Sequence, residues 1–434
     1  MASTAAGNAP EASPARSASL VALPDELIQR IFRLVYALEY PDWRPTVAAV
    51  PFARIRISRR IHSLAYPIWL DHLGCSSWFN KASCPAFFAA VIDVSDRWYQ
   101  IRRINVGITD AEPSAYASVV RKLPSLQSFA IEWPARDSGA VPASLVDAIA
   151  QHKSLSTLQI GEGAVVESGS FDLSSTPIRE LVLEQPRNVW SLFSNGAAKN
   201  LDVLELWRTD LCGEKIPWAT LRVLRLPGNG RADVRVEGAL AGVLRSLQEA
   251  AVPGVDLPLI KFELGMDNEH MLDEPEPDLG RTARYALLYG VLELARPVRV
   301  KVSDLMRPLD LPPPERPGPF TSVKHLELGA RRPLFDPASL AAFDQFLPLF
   351  PSLSHLVLHD SHLDAPEQLV DDFVALPFAR FGMRHPAFAA LVTAVSSTST
   401  LVLEYRPSGL QPSLHLTRPC ADLDFAVDVV RSLR

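Results

Sequence analysis

Leu358–Asp364, LHDSHLD, gathers His359, Asp360, Ser361, His362 and Asp364 in one short stretch. Imidazoles beside carboxylates and a hydroxyl are the raw material of a zinc site or a hydrolytic triad. The spacing argues against both. A helical zinc pair uses positions i and i+4, whereas these histidines are three apart, and no third ligand stands at a defined offset. The stretch follows an apolar run, where a chain leaving a sheet carries polar residues, so a turn is expected. His72, Cys75 and Cys84 are an incomplete zinc set. Gly161-x-Gly163 in IGEGAVVESG lacks the third glycine and following helix of a phosphate-binding turn. LPGNGRAD lacks the Gly-Lys-Ser/Thr of a nucleotide loop, and no Gly-x-Ser-x-Gly occurs. The residues therefore point to a chain that is not an enzyme, with no catalytic residues, no cofactor and no metal.

Composition narrows the class further. Apolar residues make up 47% of the 434 positions and charged residues 21%, the range of a folded, soluble protein. A net charge of −6 speaks against a general nucleic-acid surface. No apolar run reaches the ~18 residues of a membrane span. Cys75, Cys84, Cys212 and Cys420 are scattered, which suits a reducing compartment, cytoplasmic or nuclear, better than a secreted disulfide scaffold. Residues 1–18 are rich in Ala, Ser and Pro without an apolar core segment, so they read as a disordered tail rather than a secretory signal. The 37 prolines suit many short elements joined by turns.

Those short elements repeat. The motif φ-x-x-φ-x-φ, with φ apolar, occurs at IRRINV (from Ile101), LQSFAI (Leu126), LSTLQI (Leu155), IRELVL (Ile178), LDVLEL (Leu201) and LRVLRL (Leu221). Further copies are LQEAAV (Leu247), VKHLEL (Val323), LSHLVL (Leu353) and TSTLVL (Thr398, Leu401, Leu403). LIKFEL and PVRVKV are degenerate candidates between Leu247 and Val323. Starts through Leu247 lie 20 to 29 residues apart, the period of leucine-rich repeats. The expectation is an α/β fold in which residues 74–434 form an irregular solenoid, a curved parallel sheet with helices outside. Stacked strand–turn–helix units would place every φ in one core. A TIM barrel or doubly wound sheet needs longer crossovers, and the spacing disfavours both. Two segments interrupt the array. MDNEHMLDEPEPDLG (266–280) carries six acidic residues and RPLDLPPPERPGP (307–319) six prolines, so both read as surface loops.

The x positions of such strands line the inner face, where partners bind. Glu180, Val182 and Glu184 form one row, Val203, Glu205 and Trp207 the next, and Val223, Arg225 and Pro227 the third. Trp207 would stand exposed on this face, flanked by Glu205 and Arg225, the composition of a binding hot spot, and these three with Glu184 are the candidate target-binding set.

The N-terminal helix poses a different question. In SLVALPDELIQRIFRLVY, Pro24 suits the first helical position, and Asp25 and Glu26 complement the positive end of the helix dipole. Leu27, Ile31, Leu34 and Leu38 make one apolar stripe, and Ile28, Phe32 and Val35 make a second beside it. The arc of about 160° exceeds the ~100° needed to pack on one core. Such a helix suits two neighbours. Downstream, RISRRIHSLAYPIW reads as a second helix that Pro67 ends, closed by Trp69.

The order LPDELIQRIF … RISRRIHSLAYPIW resembles the F-box, the small three-helix module of SCF ubiquitin ligases, over residues 19–73. The intervening ALEYPDWRPTVAAVPFAR is longer and more Pro-rich than the usual link. The resemblance implies an adaptor-binding face of Leu23, Pro24, Leu27, Ile28, Ile31 and Phe32, with Trp69 closing it. It implies the Skp adaptor as partner, a cullin through it, and a target protein on the repeats, as in divergent fungal F-box/leucine-rich-repeat proteins. The alternative is a repeat scaffold or inhibitor whose first helices only cap the array. An enzyme on an α/β fold would need an unrecognised site.

Overall fold

The computed structural model describes residues 23–39, 58–71, 73–75, 101–107, 113–132, 139–161, 164–165, 172–184, 199–207, 216–227, 234–265, 278–305, 319–330, 346–360, 380, 383–384, 402–407, 413–417 and 426–430. Two helices open the chain, α1 (Asp25–Glu39) and α2 (Arg59–Asp71). Strands follow at β1 (Leu73–Cys75), β2 (Arg103–Gly107), β3 (Ser128–Glu132), β4 (Gly139–Ala140), β5 (Thr157–Ile160) and β6 (Ala164–Val165). They continue at β7 (Glu180–Glu184), β8 (Val203–Trp207), β9 (Val223–Leu226), β10 (Lys261–Gly265), β11 (Arg299–Leu305), β12 (His325–Ala330) and β13 (His355–Asp360). The last are β14 (Val402–Pro407), β15 (Ser413–Thr417) and β16 (Ala426–Val430). β4 and β6 pair with each other, and the rest form one 14-stranded sheet whose order is the chain order.

Every pairing from β1 to β14 in that sheet is parallel, and β14–β15–β16 close it as antiparallel strands. The order has no reversal of the doubly wound kind. β1 and β16 stand at opposite ends, so the sheet is open and not a barrel. An open, largely parallel sheet that adds one strand per crossover is solenoid-like in plan.

The φ residues do what their spacing requires. Ile104, Phe129, Leu158, Leu181, Leu204, Leu224, Phe262, Val300, Leu326 and Leu356 face one another in register on successive strands and are fully enclosed. Neighbouring repeats are stitched at the turn before each strand. One carbonyl accepts two successive N–H groups from the next repeat, as Arg179 O does from Asp202 and Val203 and Asp202 O does from Arg222 and Val223. The pattern runs from Arg102 to Lys324. These bonds satisfy the main-chain groups of the turns without help from side chains.

Two repeat assignments are corrected and two candidates are placed. LQEAAV is not a strand, because Leu247 lies in helix α5 (Val234–Ala250). Leu240, Val243 and Leu247 recur at helical spacing on its buried side, and φ-x-x-φ cannot be told from that spacing. The degenerate LIKFEL and PVRVKV instead supply β10 and β11. The final copy is displaced by two residues: Leu403 and Tyr405 pair with Leu356 and Leu358. A two-residue slip keeps every residue on its face, so the pattern alone could not detect it.

Helices line the back of the sheet. Helices α3 (Pro113–Lys122), α4 (Ala143–Ala150), α5 and α6 (Asp278–Leu294) pack there in two neighbouring pairs, α3 with α4 and α5 with α6. Among the described residues, the crossovers before β7 and β13 carry 3-10 turns at Leu173–Ser175 and Leu347–Leu349. Beyond α6 the aromatic series Tyr285, Tyr289, Phe320, Phe350 and Phe346 continues the layer, each ring 4.9–6.4 Å from the next. The acidic segment was expected as loop through Gly280, but Asp278–Gly280 begin α6. An aspartate there complements the helix dipole. Residues 266–277 and 306–318 lie outside the described residues.

At Gly290 of α6, an added Cβ would stand 2.3 Å from Leu244 Cδ1 of α5. The terminal methyl of Leu244 can swing aside, and alanine is favoured over glycine in a helix by up to ~1 kcal/mol. Gly290→Ala should therefore stay within about 1 kcal/mol of the wild type, whereas Gly290→Leu overpacks the helix pair and should cost about 1–3 kcal/mol. Urea denaturation measures both, and equal stability of the leucine variant would contradict the close approach.

Candidate interaction surfaces

Two surfaces carry the residues singled out in the sequence. The first is the α1–α2 pair. Pro24 sits one position earlier than expected: its carbonyl accepts from the N–H groups of Leu27 and Ile28, both at 3.1 Å, so it precedes the helix as the cap. Arg60 of α2 locks this end, donating from Nε to Asp25 Oδ1 at 2.8 Å and from Nη2 to the Leu23 carbonyl at 2.8 Å. Pro67 does not end α2, which continues to Asp71. The N–H missing at Pro67 would have bonded the carbonyl of Ser63, an exposed residue, where water can take its place.

The two stripes of α1 separate as their geometry requires. Ile28 is fully buried and Phe32 packs against the core of the sheet, while Leu27 is 46% exposed and Ile31 half-buried. Leu23 is half-buried and Pro24 exposed. Ile28, assigned to the adaptor face by the resemblance, is thus a core residue with no surface to offer. The accessible apolar set is Leu23, Pro24, Leu27 and Ile31. Trp69 belongs to α2, but its side chain lies outside the described residues. From α2, Ala65 and Ile68 join the same continuous core as Ile101 and Ile104.

The second surface is the face of the sheet opposite the φ residues. Thr157, Gln159, Val182 and Val357 on it are buried, which corrects the expectation that Val182 stands in an exposed row. Side chains are half-exposed across β8–β12 and continue to His355 and His359 of β13. Glu184 is half-buried and pairs in register with Trp207.

Trp207 is also half-buried, and its indole N–H donates to the Glu205 carboxylate. Arg225 lies among three carboxylates, at 3.2 Å from Glu205, 3.5 Å from Glu180 and 3.6 Å from Glu263. Three of the four candidate target-binding residues, Glu205, Trp207 and Arg225, therefore form one bonded cluster.

The cluster extends further than the sequence reading reached. In register with Glu205 come Arg225, Glu263, Lys301 and Glu327, an alternation of charge along five adjacent strands. Lys261 pairs with Glu263, and Glu327 receives Lys301 at 3.0 Å and His359 Nε2 at 2.7 Å. One register position away, the His325 and His355 rings stack at 4.5 Å. The signal was present in the x positions of LIKFEL, PVRVKV and VKHLEL. It was invisible while two of those runs had no place in the register. His359, first read in a turn, lies within β13, and its neighbour there is a carboxylate. Ser361, His362 and Asp364 lie outside the described residues.

Burial alone would raise the Glu327 carboxyl, but the His359 hydrogen bond and the Lys301 charge outweigh it and hold the group at about 2, against 4.5 unperturbed. A depressed acid stabilises the fold above its unfolded value and loses that contribution as pH falls through the folded one. Glu327→Gln should therefore cost most at neutral pH, on the order of 3 kcal/mol at the ceiling, with the difference fading between pH 4.5 and 2. Thermal melts across that range test it, and a pH-independent difference would contradict the pairing.

Among the described residues, no group of three or more His, Cys, Asp or Glu is arranged to hold a metal, and no helix is long and apolar enough to cross a membrane. Fold and surfaces define the class as an open α/β solenoid-like protein with an apolar N-terminal helix face and a charge-laddered sheet face. No protein-family model matches the chain, and no curated protein matches it.

Proposed function

We propose that this chain is the substrate-recognition subunit of an SCF-type ubiquitin ligase, its N-terminal helices an F-box and its sheet an array of divergent leucine-rich repeats. Leu27 and Ile31 would dock the Skp adaptor and, through it, a cullin. The sheet face would hold a target protein, with Glu184, Glu205, Trp207 and Arg225 among its contacts. The chain itself performs no chemistry. It raises the effective concentration of target lysines near the charged conjugating enzyme. The observation carrying this reading is that α1 buries Ile28 while presenting Leu27 to solvent beside Ile31. Co-purification with the Skp adaptor tests it, and a chain that fails to retain the adaptor is not such a receptor.

One observation favours a second reading, a repeat scaffold or inhibitor with an N-terminal cap. Ala65 and Ile68 are continuous with the core of the first repeats, as a cap requires. A cap alone gives no reason for Leu27 to face water. The two readings part on adaptor binding.

A further inference from the structure

Of the six large apolar side chains exposed among the described residues, four stand at one place, Val252, Val255, Ile260 and Val298. All four lie in the turns that enter β10 and β11, and their exposure runs from 38% at Val298 to 62% at Val255. The Ile260 carbonyl accepts the N–H of Val298 at 3.0 Å, so these two belong to adjacent turns on one rim of the sheet. Val255 closes a tight turn, its N–H donating to the Val252 carbonyl at 3.1 Å. Ile260 and Val298 hold the position whose carbonyl accepts two N–H groups of the next repeat. Elsewhere that position is polar, from Arg102 through Arg222 and again at Lys324. The apolar rim is therefore local to two repeats, and the fold does not require it.

A charged pair joins the two turns. Arg296 and Asp256 approach to 3.7 Å, and both are exposed. That is too long for a hydrogen bond, and neither has another partner among the described residues. Arg296 is also the one described non-glycine residue at positive φ, 50°, where it ends α6 with its N–H on the Val291 carbonyl at 3.2 Å. Glycine is the usual residue at such a helix end, because without a Cβ it takes this conformation freely. A long, exposed ion pair stabilises a fold little. The folded single chain thus gives no reason to keep an arginine there.

We propose that this rim is a self-association face, at which two copies of the chain meet about a twofold axis. Val252, Val255, Ile260 and Val298 form its apolar centre, and Arg296 of each copy bonds Asp256 of the other. The choice of a second copy rests on charge. A twofold interface has to be complementary to itself. This rim carries one cation and one anion side by side, so turning it onto itself sets each against its opposite. The patch is small, and the dimer is accordingly of the weak, concentration-dependent kind. It stands apart from the receptor reading, since neither Leu27 nor the charged sheet face takes part.

Sedimentation velocity on the full chain, over a wide range of concentration, reads the association. The mass should rise from one chain toward two. Val255→Asp, at an exposed site, should weaken the dimer by at least ~10-fold. Arg296→Asp and Asp256→Arg should each fail to associate alone, because like charges then face each other across the axis. Mixed in equal amounts they should associate again, since each altered residue meets its opposite on the other chain. Arg296→Gly should weaken the dimer without lowering the melting temperature, a combination that a merely structural role would not give. Gln127→Asp changes the same turn position of a distant repeat and should leave association unchanged. A chain that stays single at every concentration, or one that associates equally well as Val255→Asp, would overturn the proposal. So would a mixture of the two charge variants that stays single.

Discussion

Leu27→Asp is expected to reduce capture of the Skp adaptor by at least ~100-fold, a loss of about 2.7 kcal/mol, while the melting temperature of the isolated chain hardly moves. The side chain is 46% exposed, so folding gains little from it, and a carboxylate at that position remains hydrated in the free protein. In the complex the same carboxylate would be buried among apolar groups without a partner. Ile31→Asp should act in the same direction but also lower stability, since Ile31 is half-buried. Ile28→Asp is the informative contrast. It should unfold the α1–α2 pair, because the site is fully enclosed. Pull-down alongside thermal melting separates the cases. Wild-type adaptor binding by the Leu27→Asp and Ile31→Asp variants would end the receptor reading and leave the cap.

The second large effect belongs to Arg225. Its removal leaves Glu180 on β7, Glu205 on β8 and Glu263 on β10 around the vacated position on β9, with their shared cation gone. Arg225→Gln should destabilise by about 1–3 kcal/mol, discounted from a fully buried network because the arginine side chain is 32% exposed. Two signatures identify the cause. High salt should recover part of the loss, because screening acts on the unmasked carboxylates. Arg225→Lys should recover it incompletely, because an ammonium lacks the planar fork that reaches several carboxylates together. Denaturant titrations at low and high salt measure this, and a variant as stable as the wild type would show the ladder to be ornamental.

The parts of the fold legible in the sequence are those set by short-range apolar periodicity. Leu204, Leu224 and Leu326 announce themselves, because a strand with one buried face must alternate. Leu247 misled because its helix buries residues at three- and four-residue steps, which reproduces half of the strand motif. LIKFEL and PVRVKV fall out of the repeat period because long helices intervene, so that 38 residues separate Leu221 from Leu259 and another 38 separate Leu259 from Pro297. The site was legible to the same degree. Glu205, Trp207 and Arg225 stood in consecutive clean repeats and could be aligned by eye. Lys301, Glu327 and His359 could not, because a charge ladder exists only once every rung has its register. The antiparallel β15 and β16 had no signal, since nothing in Ser413–Thr417 distinguishes a reversed strand from one more parallel rung.

The paired helices behind the sheet have a consequence for the face. Neighbouring strands stand about 4.8 Å apart, but neighbouring helices need about 8–10 Å. Two helices side by side behind adjacent strands, as α3 with α4 and α5 with α6, therefore demand several ångströms more room than the strands they cover. The sheet accommodates that by bending away from them, which gathers the side chains of the opposite face. A target that lies across those strands must be bent, or pliant enough to follow.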